Sequence, residues 1–397
     1  MAKIVVCGYM VRFPVAGNIL AYFSYVLGLC RLGHQVVYLE ESGWPGSCYD
    51  PATGQWHDDP SAGLKVVRSL MSEYGLTVPV LYVDRESGRV DGSEWGEVRR
   101  VLAEAELLLN VGGVCWLPEF SLCKRLALVD MDPLFTQAGE FGVRLGGDFQ
   151  SYHALFSYGA NIGLPGCTVP LMGADWLPTV PPVVPEMWNA ALPAEGTLFT
   201  TVANWSAYGA ITYGGEHYGQ KDEEFMRLLD LPSRTSQKLE IALSGVPGDV
   251  AERLRSAGWL VRDANRELNM SIQAYKSYIR ASRGELSVAK HAYVKSRCGW
   301  FSDRSACYLA SGLPVVLKDT GFSDWLPVGE GVLAFSSVQE AATCIEKVNR
   351  DYGAHRNAAR KIAEEIFSYK VVLPRLLDSA LGTGKSSHAA AGPGEME

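Results

Sequence analysis

Ser302, Asp303 and Arg304 place a hydroxyl, a carboxylate and a guanidinium at what reads as the start of a helix. Ser302 and Asp303 can cap the free amides of a first turn, and Ala306, Leu309 and Ala310 follow as an apolar stripe at helical spacing. A helix N-terminus carries a partial positive charge and Arg304 adds a full one, so the arrangement suits a diphosphate. The rival account is that Arg304 only pairs with Asp303 or Asp319. Ser311-Gly312 ends the helix and Pro314 prevents its resumption. Val315-Val316-Leu317 is then an all-apolar strand of the kind buried on both faces of a parallel sheet, and it runs into Asp319, Thr320 and Gly321 as candidate binding residues.

Other groups could act beside these. Gly284 and Ser287 offer backbone and hydroxyl hydrogen bonds to a nucleotide, and Glu285 between them can accept from a ribose diol unless it pairs with Arg283 or Lys290. Asn204 closes an apolar run at the carboxyl end of a strand, where α/β sheets bind ligands. Asp130 and Asp132 are hard carboxylates at a strand end and could hold a divalent cation on a diphosphate. Pro133 favours the simpler turn in which they cap backbone amides. His153 could serve as a general base, with a hydrogen-bonded structural histidine as the equal alternative.

The elements that must position these groups alternate along the chain. A buried-strand run at 3–7, a glycine loop at 8–18, a helix through Tyr22, Tyr25, Val26 and Leu29 and a strand at 35–40 complete one βαβ unit. A long Gly-, Pro- and Trp-rich loop at 41–60 precedes a helix at 60–74, a strand at 80–83, a helix at 94–106 and strands at 107–110 and 126–129. The proline-rich passage at 177–185 and a spacer reaching Gly196 read as a stiff linker. The rhythm then restarts with strands at 197–202, 238–244, 259–261 and 329–335, and helices from Lys221, at 247–257 and through Ile272 and Ile279. Two α/β domains follow, 1–190 and 191–364, with residues 383–397 a disordered Gly-, Ser- and Ala-rich tail.

Composition narrows the partners. A chain of 397 residues is long enough to close two cores, and a net charge of -8 argues against a nucleic-acid backbone as partner, although a local basic pocket would hold a small anion. Nine cysteines, an odd number without a Cys-x-x-Cys, indicate neither a disulfide framework nor a zinc site and fit a reducing cytoplasm. No apolar run approaches about 18 residues, so no membrane span is expected. Oligomeric state stays open.

The order of helix, Gly, Pro and strand around Arg304, Ala310, Gly312 and Pro314 resembles the donor-binding core of GT-B glycosyltransferases, closest to group 1 enzymes of bacterial secondary metabolism and surface-sugar synthesis. Their helix carries a glutamate and then an alanine where this chain has Cys307 and Tyr308. The resemblance implies an α/β GT-B fold, two Rossmann-like domains facing each other across a cleft, with a final helix at 365–382 crossing back to the first. It places Gly8, Arg12, Gly17 and Asn18 in the glycine loop at that cleft, with Arg12 alongside Asp132 and His153 among the catalytic candidates. It makes Lys221 a second phosphate ligand after Arg304, against an exposed lysine beside Asp222 and Glu223, and lets Glu285 compensate for the missing helix glutamate. The implied function is transfer of a sugar from a nucleoside diphosphate sugar, a UDP-sugar by preference, to a small natural-product, nucleobase or carbohydrate acceptor. Enzymes joining glucuronic acid to cytosine are one acceptor class among related actinobacterial proteins. No cofactor or obligatory metal is implied. Retention or inversion stays open. The competing expectations are a metal-dependent GT-A transferase using Asp130 and Asp132, a non-catalytic nucleotide-sugar-binding protein, and a GT-B-fold sugar-nucleotide epimerase.

Overall fold

The computed structural model describes residues 1–139, 148–189 and 196–383; the expected domain boundary at 190/191 and residues 384–397 of the expected tail lie outside the described residues. The apolar runs become parallel strands. β1 (Lys3–Cys7) leads through α1 (Ala16–Arg31) to β2 (Gln35–Ser42), which pairs with β1 in parallel. The segment read as a long loop holds a short antiparallel hairpin, β3 (Cys48–Asp50) and β4 (Gln55–His57). Then follow α2 (Ser61–Glu73), β5 (Val80–Asp84), β6 (Val90–Asp91), α3 (Trp95–Glu104), β7 (Leu107–Val111), β8 (Leu126–Asp130), β9 (Ala154–Ser157) and β10 (Trp176–Pro178).

These strands form a sheet in the order β10-β9-β8-β7-β1-β2-β5-β6, parallel except for β6. The second sheet is built from β11 (Leu198–Asn204), β14 (Lys238–Ser244), β15 (Leu260–Asp263), β16 (Gly284–Ser287), β17 (Val315–Lys318) and β18 (Val332–Phe335), in the order β15-β14-β11-β16-β17-β18. A hairpin of β12 (Ile211–Tyr213) and β13 (Glu216–Tyr218) stands between β11 and α4 (Lys221–Met226). Two further helices matter for the site, α5 (Ile272–Arg280) and α6 (His291–Ser296). The helix expected after Ser302 is α7 (Asp303–Ala310), with Ser302 at its N-cap position.

β16 corrects the reading of Gly284, Glu285 and Ser287 as groups open to a nucleotide. It is a central strand whose four residues are all buried. Glu285 and Ser287 break the apolar run that announces a buried strand. The carboxylate is tolerated there because the Arg304 Nε donates to it at 2.6 Å.

Both sheets reverse direction at one point. Successive crossovers run from β1 through β2 to β5 on one side and from β7 to β10 on the other; in the second sheet the reversal lies between β11 and β16. Loops leaving the carboxyl ends of strands at such points diverge and leave a crevice.

After β18 the chain returns to the first sheet. Val183 and Ser368 form a bridge, with Tyr369 N donating to Val183 O at 2.8 Å, and α8 (Tyr369–Ala380) lies on α1. Gly28 permits this approach, because a Cβ there would lie 2.6 Å from Leu373 Cδ1 and 2.8 Å from Tyr369 Cβ. Alanine in a helix interior normally gains up to about 1 kcal/mol over glycine. Overpacking costs about 1–3 kcal/mol, and Tyr369 Cβ cannot swing away as a side-chain tip could. Gly28→Ala is therefore expected to lower the urea midpoint; an unchanged or raised midpoint would show that α8 shifts freely on α1.

Candidate functional site

The loops from the two reversal points meet in a cleft of about 730 Å³. The first sheet contributes Asn18 and Tyr22 of α1, Gly112 after β7, and Asp132 after β8. The second contributes Asn204 at the end of β11, Tyr208 after it, Lys221 at the start of α4, Lys290 after β16, and Asp303 at the start of α7. Among the described residues its charged lining is therefore two lysines and two aspartates, all reached from carboxyl strand ends or helix starts.

Lys221 has no hydrogen-bond or ion-pair partner among the described residues. The acids beside it face elsewhere, Glu223 toward His217 at 2.7 Å and Glu224 toward His291 Nδ1 at 2.9 Å. Burial, followed by the charges of Arg304 and Lys290, pushes the Lys221 ammonium down to about 7.

Lys290 is the opposite case. Its ammonium donates to both Asp132 carboxylate oxygens at 2.7 Å and also to the Tyr208 hydroxyl, which uses all three of its hydrogens. It sits over the rings of Tyr208 and Phe135 at 4.1 and 4.6 Å. Burial draws its pKa below the ordinary lysine value against the raising pull of Asp132. Asp132 also accepts from the Tyr293 hydroxyl. The Lys290–Asp132 pair thus spans the cleft from one sheet to the other, and Trp300 Nε1 reinforces it by donating to Met131 O at 3.1 Å.

Of the residues expected at the site, Asn18, Asp132, Asn204 and Lys221 line the cleft. The Asn18 amide donates to Tyr9 O at 2.6 Å and Phe13 O at 2.8 Å, which shapes the glycine loop. Arg12 is not at the cleft. It is buried against Glu40, donates to Val114 O at 2.8 Å and lies over the Tyr9 ring at 4.6 Å. Glu40 is what draws it inward, because the same carboxylate accepts the Val11 and Arg12 amides at 2.8 and 2.7 Å. Gly17 serves packing instead: a Cβ there would stand 3.2 Å from the Tyr275 hydroxyl of α5. His153 precedes the amino end of β9, away from the carboxyl-edge cleft, is exposed, and accepts the Leu126 amide on Nδ1 at 3.1 Å. It is the structural histidine, not the base.

Arg304 requires the largest correction. Its Nε goes to Glu285 at 2.6 Å, Nη1 to Val202 O at 2.8 Å and Nη2 to Ser287 Oγ at 2.6 Å, all beneath the cleft floor. Glu285, expected on a ribose, is fully buried as its counter-ion, and Ser287 is consumed as an acceptor. Gly284 is pressed against β17, where a Cβ would come within 2.7 Å of Pro314 O. Ser302 makes no side-chain cap; with Arg304 and Thr320 it borders a small recess of about 10 Å³, room for one water at most. Thr320 Oγ1 donates to Trp300 O at 2.6 Å. Asp319 closes a turn on the Gly321 amide at 2.9 Å, and Gly321 O accepts from Asn161 of the first half at 2.9 Å. That turn fastens the halves together rather than facing the cleft.

Asp130 is likewise satisfied within the protein. It is buried and accepts from Thr136 Oγ1 at 2.6 Å, Ser157 Oγ at 2.6 Å, Gln137 Nε2 at 3.0 Å and the Asp132 amide at 2.8 Å. The Asp-x-Asp is the capping turn, not a converging pair. The two separate parallel sheets also exclude the GT-A architecture that would need it.

No protein-family model matches the sequence, and no curated protein sequence does. Solved structures match the fold. AviGT4, a glycosyltransferase involved in avilamycin A biosynthesis, superposes with a TM-score of 0.56 at 12% identity over 97% of this chain and 99% of its own. An alpha-glucosyltransferase in complex with UDP and DNA gives 0.56 at 9% identity over 95% and 99%. Anabaena HepE in complex with UDP and glucose gives 0.55 at 12% identity over 96% and 99%. The chain has the GT-B fold, as its resemblance implied.

Proposed function

We propose that this protein transfers a sugar from a nucleoside diphosphate sugar, a UDP-sugar, to a small acceptor in the cleft between the two sheets. The carrying observation is Lys221, without a partner among the described residues, at the carboxyl edge of the second sheet and facing a cleft whose other wall presents Asp132. Fold alone does not specify an activity, so the weight rests on that pair of walls. The bond from the anomeric carbon to the diphosphate oxygen breaks with its electron pair going to the diphosphate, and Lys221 neutralises the charge that develops. The acceptor oxygen forms the new bond to the anomeric carbon, and its proton passes to Asp132. Protein cations meet the leaving group, so the proposal calls for no obligatory metal. Two of the similar folds hold UDP, which supports uridine as the base. The likeness to an avilamycin glycosyltransferase supports a natural-product acceptor, and the net charge of -8 weighs against a nucleic acid.

The direct test is thermal shift with UDP, GDP, TDP and their sugars. A nucleotide at a hundred times its Kd stabilises the folded state by about 2.7 kcal/mol, so UDP and UDP-sugars are expected to raise the melting temperature where the others do not. Release of UDP from a UDP-sugar in the presence of acceptor then separates a transferase from a protein that only binds. A molecule that no nucleotide stabilises would end the proposal.

A further inference from the structure

Resting on that function, a second property of the cleft follows from the way Lys290 is held. Its three hydrogens are all committed, two to Asp132 and one to Tyr208, and its side chain is 11% exposed against 31% for Asp132. In this arrangement Lys290 cannot meet a phosphate, and Asp132 is held by the ammonium on both oxygens and by the Tyr293 hydroxyl on Oδ1, which fills three of its roughly four acceptor positions. A donor diphosphate carries two negative charges, and Lys221 answers only one. Lys290 is close enough to act electrostatically on Lys221, so an anion seated on Lys221 also pulls on Lys290.

We propose that Lys290 is an exchanged residue: the donor diphosphate takes it from Asp132, and the same step frees Asp132 to accept the acceptor's proton. The ion pair across the cleft is then the resting form of the site. The base becomes available only with the donor in place, which suppresses proton abstraction at an empty donor site. The chemistry balances without a further reactant, since Lys290 keeps its three protons and only changes which oxygens accept them.

The test is calorimetric titration of UDP into the full-length wild type, Asp132→Asn, Lys290→Gln and the double variant, at low salt, alongside turnover. Asp132→Asn releases Lys290 in advance, so it should bind UDP about tenfold more tightly while its turnover falls by about a hundredfold or more. A residue whose role is only structural would not tighten a ligand when removed. Lys290→Gln should bind UDP more weakly than wild type, and in that background Asp132→Asn should no longer tighten it. Tyr208→Phe removes one acceptor of the ammonium at a half-exposed position and should tighten UDP by a smaller factor, which keeps the test open if Asp132→Asn does not fold. UDP binding that is unchanged or weakened in both Asp132→Asn and Tyr208→Phe would overturn the exchange alone. Failure of UDP, GDP and TDP to bind the wild type would overturn the function on which it rests, and the exchange with it.

Discussion

Replacing Lys221 with methionine is expected to raise the Kd for UDP about a hundredfold, equivalent to about 2.7 kcal/mol, because a shielded cleft would no longer supply a charge-assisted hydrogen bond to the diphosphate. The pH dependence identifies the group. In the free protein Lys221 is pushed down to about 7, so above that pH a diphosphate must bring a proton with it. Affinity should then fall with rising pH between about 7.5 and 9.5, where a terminal phosphate with a second pKa near 6 no longer changes charge. Lys221→Arg stays charged throughout and should flatten this dependence. Stability should move the other way. A lysine whose folded pKa lies below its unfolded value destabilises the fold fully below about 7 and progressively less as pH rises toward about 10.4, because the unfolded chain binds more protons in that window. Lys221→Met should therefore melt no lower than wild type at pH 6.5 while binding UDP poorly. A variant that melts lower there and binds UDP normally would remove Lys221 from the site.

Arg304→Ala is expected to cost about 3–5 kcal/mol of stability, the usual penalty for removing one partner of a buried ion pair. Glu285 would be left buried in the strand with no cation opposite, and its Oε2 already lacks a hydrogen-bond partner among the described residues. Val202 O would lose the guanidinium's hydrogen bond as well, and Ser287 Oγ would keep only the donor from Thr201 Oγ1 at 3.0 Å. The conservative Arg304→Lys cannot reproduce a fork that reaches three acceptors and should recover little. The paired replacement Arg304→Met with Glu285→Gln removes both charges and should recover much of the loss. Denaturant unfolding measures all of these, with UDP titration of whatever remains folded. An Arg304→Ala protein of normal stability that fails to bind UDP would restore the diphosphate role that position and charge suggest for this residue.

Much of the fold was legible because it rests on local signals. The apolar runs at 3–7, 107–110 and 315–317 each became a strand, and Gly312 with Pro314 ended α7 where expected. β16 was illegible for a physical reason: its inward side chains are a carboxylate and a hydroxyl, satisfied by Arg304 and, for Ser287, also by Thr201, which lie in other elements. That one omission propagated. Without the strand, Glu285 and Ser287 looked available to a ligand, and Lys290, three residues past a carboxyl strand end, was passed over. Arg12 and Arg304 misled in the same way. A sequence shows an arginine near a helix start or glycine loop but not the carboxylate of another element, Glu40 or Glu285, that draws it inward. Lys221 lines the cleft, and of the two acids expected beside it Glu223 pairs with His217 instead. The aromatic side of the cleft, Tyr22, Tyr208, Tyr293 and Trp300, carried no such local signal, since those residues come from separate stretches and meet only in the folded chain.

The return of the chain at Ser368 bears on how this scaffold could be recombined. Because Val183 and Ser368 lie side by side in a β-bridge, the polypeptide passes between the halves twice at nearly the same place, and α8 belongs by packing with α1 rather than with the sheet it follows. A chimera made by a single cut near residue 185 would graft a foreign first half onto a helix shaped for Gly28. It would also strand Tyr369, Leu373 and Leu376 as a bare apolar face. Parental exchange must instead move two pieces together, the residues before the proline-rich passage and the helix from Tyr369 to Ala380. A library respecting that pairing should yield soluble hybrids far more often than one built on a lone crossover.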